Sequence, residues 1–122
     1  MRTILIVEDE PTVLLLAEGF IAALGHATQT AHNGSEALAL LQDDNVIDLL
    51  FTDLDLGVDP DGLALAKAAV EQRPHLQVLY TSGQSVTDGL QALMVEGSAF
   101  LPKPYTPQDL EAAIVSLLPT AN

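Results

Sequence analysis

"VIDLLFTD", residues 46–53, decides the fold. The run is almost wholly apolar until it stops at Asp53, and a strand with one wet face would alternate instead. A run of this kind fits a parallel strand buried on both faces. "TILIV" (3–7), "ATQTA" (27–31), "QVLYT" (77–81) and "SAFL" (98–101) read as further strands. Between them lie segments of helical period: Pro11 to Gly25, about 35–42, 63–71, 87–95 and 107–118. Pro11 suits a first helical turn, and Asn33 or Ser35 is the expected cap of the second helix. In the first helix Leu16, Ala17, Phe20, Ile21 and Leu24 form the expected buried stripe, which leaves Val13, Leu14 and Leu15 as extra apolar surface beside the acids. Strand and helix thus alternate five times, an α/β pattern. Five βα units are too few for a closed eight-stranded barrel and suit an open, doubly wound parallel sheet.

Composition narrows the function. The 122 residues, 48% hydrophobic, are read as one domain spanning 1–122. No cysteine is present, which excludes disulfides, thiolate metal sites and thiol nucleophiles and favours a reducing cytosol. No apolar run approaches the roughly 20 residues of a membrane span, and the start "MRTILIVEDE" meets acids too early for a signal peptide. A soluble, cytoplasmic protein is expected. Seventeen acids against four bases give a formal net charge of −13, which repels nucleic-acid phosphates and anionic lipid. Neither nucleic acid nor membrane is an expected partner.

In open α/β sheets ligands bind outside the carboxyl ends of the strands. The residues there are Glu8, Asp9 and Glu10 after the first strand, Asp53 ending the third, Ser82 after the fourth and Lys103 after the fifth. Carboxylates a few ångströms apart repel by several kcal/mol at an effective dielectric of about 20, more than one lysine offsets. A divalent cation resolves this, and an oxygen-only donor set with no histidine or cysteine selects a hard ion such as Mg²⁺. Metal, aspartate, serine and lysine together are equipped for phosphoryl transfer to a carboxylate. The plain alternative is a solvated acidic rim.

These stretches together resemble a response-regulator receiver domain over the whole chain. "ILIVEDE" is similar to its first strand and acid pair, "LLFTD" to the strand with the phosphoacceptor, "VLYTSG" to the strand with the switch hydroxyl, and "FLPKP" to its lysine-proline signature. The separations of Asp9, Asp53, Ser82 and Lys103, which are 44, 29 and 21 residues, suit that family. The resemblance implies a flavodoxin-like sheet of order 2-1-3-4-5 and assigns roles. Asp53 takes a phosphoryl group from a histidine kinase or histidine phosphotransfer protein. Asp9 binds Mg²⁺ directly, Glu8 acts largely through water, and the backbone carbonyl of Asp55 adds a ligand. Ser82 and Lys103 receive phosphoryl oxygens, Phe100 is the aromatic that turns inward, and Pro104 stands where a cis bond is permitted. Glu10 has no counterpart. A downstream protein effector is the implied output, and no enzymatic turnover is implied beyond self-catalysed transfer and autodephosphorylation.

Departures are local. "DLDLGVDPDG" lacks the family's methionine-proline step and puts Gly62 nine positions after Asp53 rather than eight. Asp55 and Gln84 occupy positions where water attack on the acyl phosphate is tuned. Asp53-x-Asp55 also resembles the nucleophile motif of haloacid-dehalogenase-type phosphatases, but those enzymes open with that motif and place their metal acids last. Because only "PTAN" follows Leu118, a stand-alone receiver is expected, the alternative being a piece of a larger regulator or hybrid kinase.

Overall fold

A computed structural model describes residues 2–43 and 45–119, so Thr120–Asn122 of the "PTAN" tail lie outside the described residues. Among the described residues five strands and five helices alternate: β1 Thr3–Val7, α1 Pro11–Ala23, β2 Ala27–Ala31, α2 Gly34–Gln42, β3 Leu49–Asp53, α3 Gly62–Gln72, β4 Gln77–Ser82, α4 Asp88–Ala92, β5 Ala99–Pro102 and α5 Pro107–Leu117. The sheet is wholly parallel, in the order β2-β1-β3-β4-β5. Alternate residues of each central strand feed opposite faces. Ile4, Ile6, Leu49, Phe51 and Leu79 meet α1 and α5 on one side, whereas Leu5, Val7, Leu50, Val78 and Tyr80 meet α2, α3 and residues of the α4 segment on the other. No described helix is long and apolar enough to cross a membrane.

The ends of the elements follow local chemistry. Asn33 Oδ1 accepts the Glu36 N–H at 2.9 Å, so Asn33 is the cap of α2. β3 starts at Leu49, three residues later than expected, because the Asp48 carboxylate takes the Thr3 N–H at 2.8 Å where a ladder carbonyl would stand. α4 is also shorter than expected, five residues from Asp88 with Thr87 as its cap, and β5 begins at Ala99, one residue late.

The face of α1 corrects the expected stripe. Leu14, Ala17 and Ile21 are buried, with Phe20 and Leu24 flanking, whereas Leu16 is 55% exposed. The spacing 14, 17, 21 keeps one helical phase, and Leu16 falls outside it. Leu14 therefore belongs to the core. The apolar surface left to solvent is Leu15 and Leu16, with Val13 half-buried.

Candidate functional site

The ladder rungs set the site. Val7 pairs with Thr52, Asp53 with Thr81 and Ser82 with Pro102, so the residues that follow β1, β3, β4 and β5 share one rim. Glu8, Asp53 and Ser82 are 3%, 5% and 2% exposed, and buried carboxylates require partners. Lys103 supplies them, its Nζ donating to Glu8 Oε1 and to Asp53 Oδ2 at 2.7 Å each. The backbone N–H of Lys103 donates to the Ser82 carbonyl at 2.9 Å, which fixes the base of that arm, and the Lys103–Pro104 bond is cis.

Asp53 is oriented from both sides. Oδ2 takes the ammonium, and Oδ1 accepts the Asp55 N–H at 2.9 Å. Burial pushes the Glu8 carboxyl up, against the downward pull of its bond from Lys103. Burial alone would lower the Lys103 ammonium, but its bonds to Asp53 and Glu8 outweigh that and hold it above its ordinary value. One cation thus stays charged among several acids.

Glu8, Asp9 and Asp53 each bring a carboxylate oxygen within 4.8 Å of the others. Three carboxylates with one ammonium leave excess negative charge, and the all-oxygen set fits a hard dication. Asp9 is exposed and bounded by Gly57, where a Cβ would sit 3.4 Å from Asp9 Oδ2 and where φ is +78°. The positive φ is what calls for glycine there. Glu10, exposed at the N-cap of α1, makes no side-chain cap bond and stands outside this group.

The other expected residues lie around the acids. Ser82 Oγ accepts the Gln84 N–H at 3.0 Å and donates to Asp55 Oδ2 at 3.4 Å, so the serine is engaged with Asp55 rather than with Asp53. Thr81 donates its hydroxyl to the Leu101 carbonyl at 2.7 Å, which consumes it in the sheet and leaves Ser82 as the available hydroxyl of β4. Phe100 is half-buried and, with Leu90, Met94 and Val95, packs against the cluster that includes Tyr80. The loop after Asp53 is closed by the Gly62 N–H, which donates to the Leu54 carbonyl at 3.1 Å. Gly62 is required, because a Cβ there would collide with the Asp53 carbonyl oxygen.

Two tyrosines escaped the sequence reading. Tyr105 packs edge-on against Phe51, with ring centroids 5.9 Å apart. With Val13, Leu16, Phe20, Gly83, Lys103 and Pro104 it lines a recess of about 450 Å³ beside the acids. Tyr80, fully buried, has its hydroxyl bonded by the Val95 N–H at 3.1 Å. The available signal was a tyrosine inside a doubly buried strand, whose hydroxyl needs a partner.

Residues 4–115 match the sequence profile of the response regulator receiver domain. Among curated proteins, the chain is 34% identical over 116 residues to the alginate biosynthesis transcriptional regulatory protein AlgB of Pseudomonas aeruginosa, covering 94% of this chain and 25% of that protein. It is 29% identical over 115 residues to the probable transcriptional regulator ycf27 of Cyanidium caldarium, covering 94% of this chain and 45% of that one. The chain therefore spans about half the length of such relatives, or less. Among solved structures, a response regulator receiver protein from Sinorhizobium medicae superposes with a TM-score of 0.89 at 31% identity, over 96% of this chain and 94% of that one. A receiver domain protein from Clostridium thermocellum gives 0.87 at 28% identity, over 97% and 94%. Sheet order, the lysine between two buried acids and the match along nearly the whole chain agree, and the chain belongs to the response regulator receiver domain family of two-component signalling.

Proposed function

We propose that this receiver is a phosphorylation-dependent switch whose acceptor is Asp53. The observation that carries this reading is the hold on that carboxylate: 5% exposed, one oxygen on Lys103, the other on the Asp55 N–H, with Glu8 and Asp9 oxygens within 4.8 Å. An Asp53 oxygen attacks the phosphorus of a phosphohistidine. The phosphorus–nitrogen bond breaks, its electron pair stays on the departing imidazole, and Asp53 becomes an acyl phosphate. Glu8, Asp9, Asp53 and the Asp55 carbonyl would hold Mg²⁺, which when bound neutralises charge on the phosphoryl oxygens. Lys103 meets a further oxygen from the side it already occupies. Ser82 leaves Asp55 to donate to another, and in doing so draws in the loop that leads to α4.

The donor is a histidine kinase or histidine phosphotransfer protein, and the recess between α1 and the β5–α5 turn is its docking place. Val13, Leu16, Phe20, Pro104 and Tyr105 offer apolar surface beside the acceptor, suited to the flank of a helix that carries the histidine. The signal leaves through α4, β5 and α5 to a downstream protein effector, and such an exchange takes place in the cytoplasm.

Intact mass spectrometry after incubation with acetyl phosphate and Mg²⁺ tests the assignment. The wild type should gain one phosphoryl group of roughly 80 Da, and Asp53→Asn or chelation of the metal should abolish it. An acid-labile adduct that persists in Asp53→Asn overturns it.

A further inference from the structure

α4 has little to hold it. Its five residues include none that is buried, and Gly89 lies within it. Gly83 precedes the segment and Gly97, with φ of +80°, follows it. Leu90, Met94 and Val95 rest half-buried against the core, and that contact by itself sets no direction or register. Among the described residues, one side-chain hydrogen bond ties the segment to the sheet. The Val95 N–H, just beyond the helix, donates to the Tyr80 hydroxyl at 3.1 Å.

Tyr80 is placed to use that bond. It heads the largest of the fully buried side chains and sits two residues before Ser82 on β4, so both side chains point to the same face of the sheet. Its ladder partner on β5 is Phe100. One ring therefore borders the switch hydroxyl's strand end, the switch aromatic and the end of α4. Burial pushes the phenol up, so it remains a neutral acceptor across the physiological range.

We infer that Tyr80 is a positioning residue that pins the C-terminal end of the α4 segment at Val95. The inference rests on the switch reading above. When Ser82 closes on a phosphoryl oxygen, the N-terminal end of α4 follows the loop while the other end stays on Tyr80. The helix pivots about Val95 rather than sliding along the sheet, and Phe100 turns into the space opened at the moving end. A phenylalanine at position 80 would fill the same volume yet leave the Val95 N–H without its acceptor.

Residue-resolved amide exchange by NMR, on wild type and Tyr80→Phe, tests this with beryllofluoride and Mg²⁺ as the phosphoryl mimic. In the wild type the Val95 amide should exchange at least tenfold slower than in an unstructured chain, and beryllofluoride should leave it unchanged while altering residues 84–90. In Tyr80→Phe the Val95 amide should exchange at least tenfold faster, and the beryllofluoride response should extend through residues 91–97. Leu110 and Ile114 in α5 serve as the internal reference for global opening. A Val95 amide already unprotected in the wild type, unmoved in the variant, or accelerated only as much as Leu110 and Ile114, overturns the inference. Labelling by acetyl phosphate, followed by mass in the same samples, should be equal in both proteins. Its absence from the wild type would sink the switch reading, while the comparison of Val95 without beryllofluoride would still decide whether the tether exists.

Discussion

α5 and α4 stand on opposite faces of the sheet beside the same edge strand, β5, and they are held by different means. α5 runs for eleven residues behind a capping box, with Thr106 Oγ1 and Asp109 Oδ2 each taking the other's N–H at 3.0 Å, and it buries Leu110 and Ile114. α4 has five residues, a single cap bond from the Leu90 N–H to Thr87 Oγ1 at 3.1 Å and no buried side chain. Ser82 ends β4 and Lys103 follows β5, each where the chain sets off toward one of these two helices. A rearrangement at the acids therefore meets one wall anchored in the core and one that rests on it. Segments of low local stability are where conformational change is least costly. On the switch proposed above, α4 rather than α5 is therefore the part expected to move.

The largest expected effect separates the two helices by burial. Leu110→Ala removes a fully buried side chain and should lower the unfolding free energy by about 2–5 kcal/mol in urea titrations. Leu93→Ala at the end of α4, from a side chain 68% exposed, should change it by no more than about 0.5 kcal/mol. Equal losses would break the comparison.

Next come the caps, where the chemistry removed is the same and only the context differs. Thr106→Ala should cost about 1 kcal/mol of global stability, since α5 unfolds with the core. Thr87→Ala should leave the global midpoint within about 0.5 kcal/mol and instead speed exchange at the Leu90 amide, because α4 opens on its own. A Thr87 variant that destabilises the whole domain would place α4 in the cooperative core.

The smallest change sharpens the point from the other side. Apart from its chain neighbours and the helix's own backbone, nothing lies within 4 Å of where a Cβ would stand at Gly89, so Gly89→Ala meets no clash with the rest of the protein. It should strengthen α4 by up to about 1 kcal/mol on helix propensity, with no shift of the global midpoint. The response of α4 to beryllofluoride should shrink with it. A response as large as that of the wild type would mean that helix strength does not limit the movement.

Much of this was legible from residue order because central parallel strands, buried on both faces, must be apolar along their length and can turn polar only where they end. "LLFTD" and "ILIVEDE" carry that signature, and the lysine arrived with its proline. Less legible was the phase of α1. Nearly every residue of "PTVLLLAEGFIAA" is apolar, so no polar face marks the outside, and tertiary packing alone selects Leu14 over Leu16. The start of β3 was hidden because Asp48 substitutes a side-chain oxygen for a ladder carbonyl, an exchange that no hydrophobic pattern records. Tyr80 was hidden because its partner is a backbone N–H fifteen residues away, fixed only once α4 is docked.

On the proposed switch, phosphorylation of Asp53 moves α4 and spares α5. Amide hydrogen exchange, residue by residue, with and without beryllofluoride and Mg²⁺, addresses it most directly. Altered protection is expected at residues 84–90 and at Phe100, with 108–117 unchanged. Change confined to Glu8, Asp9, Asp53 and their immediate neighbours, or spread equally over α4 and α5, would contradict it.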